Sequence, residues 1–175
     1  MKQILFVVCA GVLSVVLLIY ATLASLSANG EIRRQRFREK IVADVDPLGQ
    51  TSVYDGELLS MLADNERGRL ASSLVLVSAD LADPAFQRIV EFENLGELGM
   101  YSCENMKEFL ATLKKLNRLE SIFVETTSLP DGTFESFASL PNLKKLHLEQ
   151  TVPAESIESF NELRPDVEVK CDFVN

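Results

Sequence analysis

The amino-acid sequence predicts an α/β domain built from short strand–helix units that repeat along the chain. Apolar residues recur about every 24 residues, in blocks starting near positions 68, 92, 116 and 140, at offsets 0, 3, 6 and 8. Within each block the apolar spacing changes from two residues, typical of a strand, to three or four, typical of a helix. A fixed period in the twenties with this change of spacing indicates a solenoid of stacked units.

The first segment, residues 1–26, is predicted to be a transmembrane anchor. Residues 4–26 contain no charged side chain and are rich in Val, Leu and Ala. A helix of that length spans a hydrocarbon layer of roughly 30 Å. The alternative is a signal peptide that is removed after export, with small residues near 22–27 as the cleavage site.

Residues 27–50 are predicted to be a juxtamembrane linker. Five basic residues follow the apolar run, namely Arg33, Arg34, Arg36, Arg38 and Lys40, whereas only Lys2 precedes it. Basic residues beside a span favour the cytoplasmic side, so the sequence predicts a single-pass cell-membrane protein with a cytoplasmic C-terminal domain. An exported domain is the alternative. The five basic side chains are also candidates for contact with anionic lipid at the membrane surface.

Residues 51–67 are predicted to form a helix that caps the repeats, with Asp55 as its N-cap. Residues 68–175 hold about four repeats of a strand and a helix, followed by a terminal strand in which Val167, Val169, Cys171 and Phe173 alternate with polar residues. Asp131 and Pro153 precede two of the predicted helices, where N-caps and first-turn prolines are favoured.

The repeat resembles the leucine-rich repeat family over roughly residues 68–171. The matching runs are Leu95-x-x-Leu98-x-Met100-x-x-Cys103, Leu119-x-x-Ile122-x-Val124-x-x-Thr127-x-Leu129 and Leu143-x-x-Leu146-x-Leu148-x-x-Thr151. Cys or Thr at the turn is similar to the cysteine-containing and short bacterial types of that family. The resemblance implies a short solenoid, a bacterial source and a role in binding other proteins.

The residue after each strand is predicted to turn inward. Thr127 and Thr151 would place a hydroxyl there to bond main-chain groups of the bend, and Cys103 would be buried at the equivalent position. Cys103 and Cys171 lie about three repeats apart, so no disulfide between them is expected. No CxxC motif or Cys/His cluster occurs, and neither a metal nor a cofactor is expected.

The strand positions between the leucines are predicted to line the concave face of the solenoid in two rows. Val75, Gly99, Phe123 and His147 form one row. Val77, Tyr101, Glu125 and Glu149 form the next. An apolar and aromatic group on an exposed face is typical of a protein-binding surface, for which all of these residues except Gly99 are the candidates. The alternative is that another segment, for example residues 41–60, folds over this face.

The charge balance and the absence of catalytic motifs restrict the function further. Residues 41–175 contain 11 Lys and Arg against 24 Asp and Glu, a net charge of −13, which argues against nucleic acid as a partner. His147 is the only histidine, and no second histidine or activated nucleophile accompanies it, so no enzyme activity is predicted. The predicted function is a membrane-anchored protein-binding module; the alternative is an exported, envelope-associated structural protein.

Overall fold

The chain divides into two compact units, residues 1–41 and residues 42–175. A computed structural model describes residues 30–40, 42 and 49–174. In the first unit residues 30–40 form a helix, α1. The predicted membrane span at residues 4–26 and Cys9 lie outside the described residues.

The prediction of a single-pass cell-membrane protein is corrected by the structure. Across residues 30–40, 42 and 49–174, no helix has both the length and the apolar character that crossing a membrane requires. The described helix of the first unit carries five basic side chains, and it is followed by a second unit of short helices and strands.

The second unit alternates strands with short helices. Its elements in chain order are β1 (Gln50–Val53), α2 (Gly56–Asp64), α3 (Glu66–Arg69), β2 (Ser73–Val77), a 3-10 helix (Pro84–Glu91), β3 (Glu97–Tyr101), α4 (Met106–Leu113), β4 (Ser121–Glu125), α5 (Thr133–Ala138), β5 (Lys145–Val152), α6 (Ala154–Leu163) and β6 (Glu168–Val174). Successive strands run in the same direction; α2 and α3 together connect β1 to β2, and a single helix makes each later connection.

Within the described residues the strands form a single parallel sheet of six strands, in the order β1-β2-β3-β4-β5-β6. The predicted fold class, a leucine-rich-repeat solenoid of about four repeats with a terminal strand behind a transmembrane helix, is therefore wrong. The structure is an α/β domain with one all-parallel sheet, and its first strand precedes the sequence repeat.

Strand β1 replaces the beginning of the predicted capping helix. Gln50–Val53 pairs in parallel with β2, and Val53 is completely buried. A stretch of four residues is too short to show a strand period, which explains why the sequence did not reveal it. The helix begins only at Gly56, and Asp55 is its N-cap as predicted, because its carboxylate accepts from the Leu58 N–H at 2.8 Å.

The core lies between one face of the sheet, here called the inner face, and the helices. Leu74, Leu98, Ile122 and Leu146 form one register row of that face, and each is at most 1 % exposed. The helices of successive repeats contribute large buried rings, namely Phe86, Phe109, Phe137 and Phe160. The opposite face, here called the outer face, carries the two predicted rows.

A left-handed residue ends each of three strands and turns the chain inward. Ser78, Ser102 and Thr126 have φ between 48° and 51°, and they are spaced 24 residues apart. The next residue in each case is buried, which brings Cys103 and Thr127 beneath the end of the sheet. The repeat therefore fixes a backbone turn as well as an apolar pattern.

The buried turns of neighbouring strand–helix repeats are joined by hydrogen bonds. The Thr127 hydroxyl accepts from the Cys103 N–H at 3.1 Å and donates to the Glu125 carbonyl at 3.0 Å. The Thr127 N–H donates to Oε1 of Gln150 at 2.9 Å. Gln150 thus takes the place predicted for Thr151, which is exposed because β5 continues to Val152.

Helix α5 does not use its predicted cap. Its N-cap is Gly132, with φ of 83°, and the helix begins at Thr133. The Thr133 hydroxyl donates to the Pro130 carbonyl at 2.6 Å, so the turn is closed by a side chain other than the predicted Asp131. Helix α6 begins directly after Pro153, as the sequence indicated.

Arg164 connects the C-terminal end of α6 to the preceding strand–helix repeat. Its guanidinium donates to the main-chain carbonyls of Ala138, Leu140 and Leu143 at 3.1, 2.6 and 2.9 Å. The same group pairs with both carboxylate oxygens of Asp166, which raises the pKa of Arg164 and lowers the pKa of Asp166. Arg164 is therefore a structural residue of the α5–β5 connection.

Candidate protein-binding face

The strand register aligns the two rows as the sequence predicted. Val75 pairs with Gly99, Gly99 with Phe123, and Phe123 with His147. The second row follows two residues later along the same strands and contains Val77, Tyr101, Glu125 and Glu149. Equal spacing of the units explains this alignment, because equivalent residues of parallel strands then lie side by side.

Three aromatic rings from the two rows form one continuous stack. The rings of Tyr101 and Phe123 have centroids 4.9 Å apart and an interplanar angle of 17°. Phe123 and His147 meet edge to face, with centroids 4.7 Å apart and an angle of 79°. Such pairs contribute about 0.5–1.5 kcal/mol each beyond the area they bury, so the stack holds its rings in defined positions.

Gly99 provides the space that brings Tyr101 into the stack. Tyr101 belongs to the second row, yet its ring leans back over Gly99 towards Phe123. A Cβ atom at Gly99 would lie 3.0 Å from Cε2 of Tyr101 and 3.3 Å from Cγ2 of Val75. A larger residue there would push the Tyr101 ring away from Phe123. This glycine is the one residue of the predicted row that the sequence did not single out as functional.

The exposed surface of the face is smaller and more aromatic than predicted. Val75 is only 7 % exposed, so it supports the surface rather than offering it to a partner. Val77, Tyr101 and Phe123 are half-buried. The alternative prediction is that a segment such as residues 41–60 covers this face. It is wrong for residues 50–53, because they form β1 within the sheet.

At the β6 end of the stack, His147 is held by two residues that the sequence analysis did not include. Nζ of Lys170 lies 3.2 Å from Nε2 of His147, and Oδ2 of Asp172 lies 3.5 Å from the same nitrogen. Lys170 also pairs with Asp172 at 3.4 Å. Partial burial opposes ionisation of Asp172, but the hydrogen bonds and charges of Lys170 and His147 outweigh it and lower the pKa of Asp172.

The same cluster is poorly suited to a cation. His147, Glu149 and Asp172 could each offer one ligand atom, and these atoms lie within 4.8 Å of one another. However, the Lys170 ammonium group already lies beside the histidine nitrogen and the Asp172 carboxylate. A positive charge at that distance repels a metal ion, so the geometry favours an ion-paired cluster.

Carboxylates border the stack on the side of Tyr101. Burial raises the pKa of the Tyr101 phenol, and the negative charges of Glu125 and Glu149 raise it further. The two carboxylates therefore give the surroundings of the phenol a negative charge. The outer face therefore combines an aromatic centre with an acidic border on the Tyr101 side.

The basic residues of the predicted membrane surface lie in the other unit. Arg33, Arg34, Arg36, Arg38 and Lys40 are all on α1. Arg34 and Arg38 lie 3.8 and 3.4 Å from carboxylate oxygens of Glu31, and Arg38 is only 9 % exposed. The five side chains consequently do not form one uniformly exposed group.

Both cysteines in the described residues are free thiols, as predicted. Cys103 is buried and Cys171 is half-buried. Burial raises the pKa of the Cys103 thiol, and this effect outweighs hydrogen bonds with Ala79, Tyr101 and Thr127, which lower the pKa. A buried thiol with a raised pKa is a poor nucleophile, so Cys103 serves the packing of its turn.

Comparisons with protein-family models, with curated proteins and with solved structures found no match, so membership of the leucine-rich repeat family stays a prediction.

Proposed function

We propose that this chain binds another protein through the outer face of its parallel sheet. The observation that carries the proposal is the stack of Tyr101, Phe123 and His147, whose rings are ordered by mutual contact and only partly buried. Aromatic side chains at the centre of a surface, with polar groups around them, are the residues on which protein interfaces most often depend.

The electrostatics of the face favour a partner segment that is basic and apolar. Glu125 and Glu149 lie beside the exposed aromatic edge at Tyr101. An Arg or Lys side chain placed there gains attraction from both carboxylates and from the ring faces. An apolar side chain of the same segment would cover Phe123. The acidic balance of residues 41–175 would also speed the approach of such a partner.

The proposed role is binding rather than catalysis. The His147 side chain contacts Phe123, Lys170 and Asp172. Among the described residues, no serine, threonine or cysteine side chain donates a hydrogen bond to it. A histidine that activates a nucleophile needs such a hydrogen bond, or a hydroxyl or thiol group close enough to form one. The ring is instead the last member of the aromatic stack.

A selection from displayed random peptides tests the proposal. The full chain is immobilised, and peptides that bind it are selected and sequenced. We expect enrichment of peptides in which Arg or Lys accompanies an aromatic or aliphatic residue. Phe123→Ala is expected to weaken binding of these peptides about 30-fold, which corresponds to the roughly 2 kcal/mol of a central interface residue.

Val90→Ala is the matched control. Val90 is an apolar side chain of the 3-10 helix, 43 % exposed, and lies away from the sheet face. Its replacement should leave peptide binding unchanged. Selected peptides that bind Phe123→Ala and the unaltered chain equally well, or that are uniformly acidic, would contradict the proposal.

A further inference from the structure

Strand β6 leaves one of its main-chain edges without a partner in the described part of the chain. It pairs with β5 alone. The Glu168 N–H donates to the Lys144 carbonyl of the connection before β5 at 2.8 Å. Successive residues of a strand direct their main-chain groups to opposite sides, so Val169, Cys171 and Phe173 direct theirs away from β5. A free edge of this kind is a template for another strand.

We propose that β6 pairs in antiparallel fashion with β6 of a second copy of this chain, with the two-fold axis at Cys171. Strand β6 runs over Glu168–Val174, so Cys171 is its central residue. This register pairs all seven residues of each strand. It also places the three residues with outward main-chain groups opposite one another, which gives complete hydrogen-bonded pairs. The result is one continuous sheet across two copies.

Charge complementarity selects this register. With Cys171 on the axis, Lys170 of each copy lies opposite Asp172 of the other, which forms two attractive pairs. A register centred on Lys170 would instead place Lys170 against Lys170 and Glu168 against Asp172. Directly opposed like charges destabilise a strand pair, and opposed unlike charges stabilise it.

The same register also covers the apolar side chains at this end of the sheet. Phe173 is 58 % exposed and Val174 is 55 % exposed. Val169 of the second copy would lie opposite Phe173. A closed two-fold contact leaves no further free β6 edge, so it yields a dimer and no open chain of copies.

Oxidative crosslinking of the full chain tests this contact. In a hydrogen-bonded antiparallel pair the Cα atoms are about 5.5 Å apart, within the range of a disulfide. Diamide oxidises the two Cys171 thiols to a disulfide, and the diazene takes up both protons and both electrons to become a hydrazine. With Cys9→Ser as the background, we expect a product of doubled mass on a non-reducing gel. Cys103 is 4 % exposed and should not react.

Charge variants decide the register. Lys170→Asp should reduce the crosslinked fraction about tenfold at limiting chain concentration, since both attractive pairs become repulsive. Lys170→Asp combined with Asp172→Lys should restore it. Lys107→Asp on α4 makes the same change of charge elsewhere and should have no effect.

Cys171→Ser should abolish the product of doubled mass. An absence of that product in the Cys9→Ser background would overturn the proposal, as would equal crosslinking in Lys170→Asp and Lys107→Asp. A head-to-tail contact between β6 and β1 of another copy would separate the two Cys171 residues, so it would also appear as absence of the product.

Discussion

Thr127 joins two turns of the sheet through a buried hydroxyl, and its replacement by Val isolates that role. Val keeps the shape of the side chain and removes the hydroxyl. The Cys103 N–H, which donates to it at 3.1 Å, then has no acceptor in a turn where Cys103 is 4 % exposed. The Glu125 carbonyl is less affected, because it still accepts from the Ser102 N–H at 2.9 Å.

The expected loss follows from this count of unpaired groups. One buried donor without a partner costs about 1–3 kcal/mol, so Thr127→Val should lower the free energy of unfolding by about 2 kcal/mol. For a domain of this size the melting temperature should fall by roughly 6–8 °C. Urea unfolding followed by circular dichroism measures the change directly.

Thr112→Val provides the control for this measurement. Thr112 is also buried, at 4 % exposure, but it lies on α4, away from the turns that the Thr127 hydroxyl joins. The same substitution there should change the free energy of unfolding by less than about 0.5 kcal/mol. Equal effects of Thr127→Val and Thr112→Val would refute the role of the hydroxyl.

Four further changes test other parts of the structure. Gly99→Ala should lower the unfolding free energy by about 1 kcal/mol and weaken peptide binding, since its Cβ would meet the Tyr101 ring at 3.0 Å. Thr126→Asn should raise the unfolding free energy by about 1 kcal/mol, because a β-branched residue is strained at φ of 48°. Arg164→Ala should lower it by about 2–3 kcal/mol, and Arg164→Lys should not restore it, because three carbonyls lose their donor. Because folding raises the pKa of Tyr101, the protonated phenol contributes to the free energy of unfolding below pH 10, and this contribution is lost as the pH rises through the pKa in the folded state. Glu125→Gln should lower the pKa of Tyr101, and absorbance titration measures that change.

The register of the central strands was predictable from the sequence because the units are equal in length. Intervals of 24 residues place Leu98, Ile122 and Leu146 at the same offset, and parallel pairing then aligns every neighbouring position. The rows of the outer face follow from the same arithmetic, without any knowledge of the helices.

The last strand was less predictable because the repeat shifts before it. The register of β5 with β6 is irregular between Leu148 and Thr151. His147 pairs with Lys170 before this irregularity, whereas Gln150 replaces Thr151 at the buried turn within it. A sequence period gives the spacing of successive strands, but it does not reveal an irregular pairing inside one of them.

The aromatic stack depended on side-chain direction, which the sequence pattern does not contain. Tyr101 and Phe123 belong to different rows, so their contact requires the Tyr101 ring to lean over Gly99. The glycine was visible in the sequence as a gap in an apolar row. Its role, which is to leave space for the Tyr101 ring, is visible only in the structure.

Photo-crosslinking from the centre of the stack tests the proposed binding face most directly. Phe123 is replaced by p-benzoylphenylalanine, which keeps an aromatic ring at that position, and the chain is irradiated in the cells that produce it. The same residue at position 90, an exposed site on the 3-10 helix, is the control. We predict a discrete crosslinked protein from position 123 and none from position 90. No crosslink from position 123, or the same products from both positions, would contradict binding through the outer face.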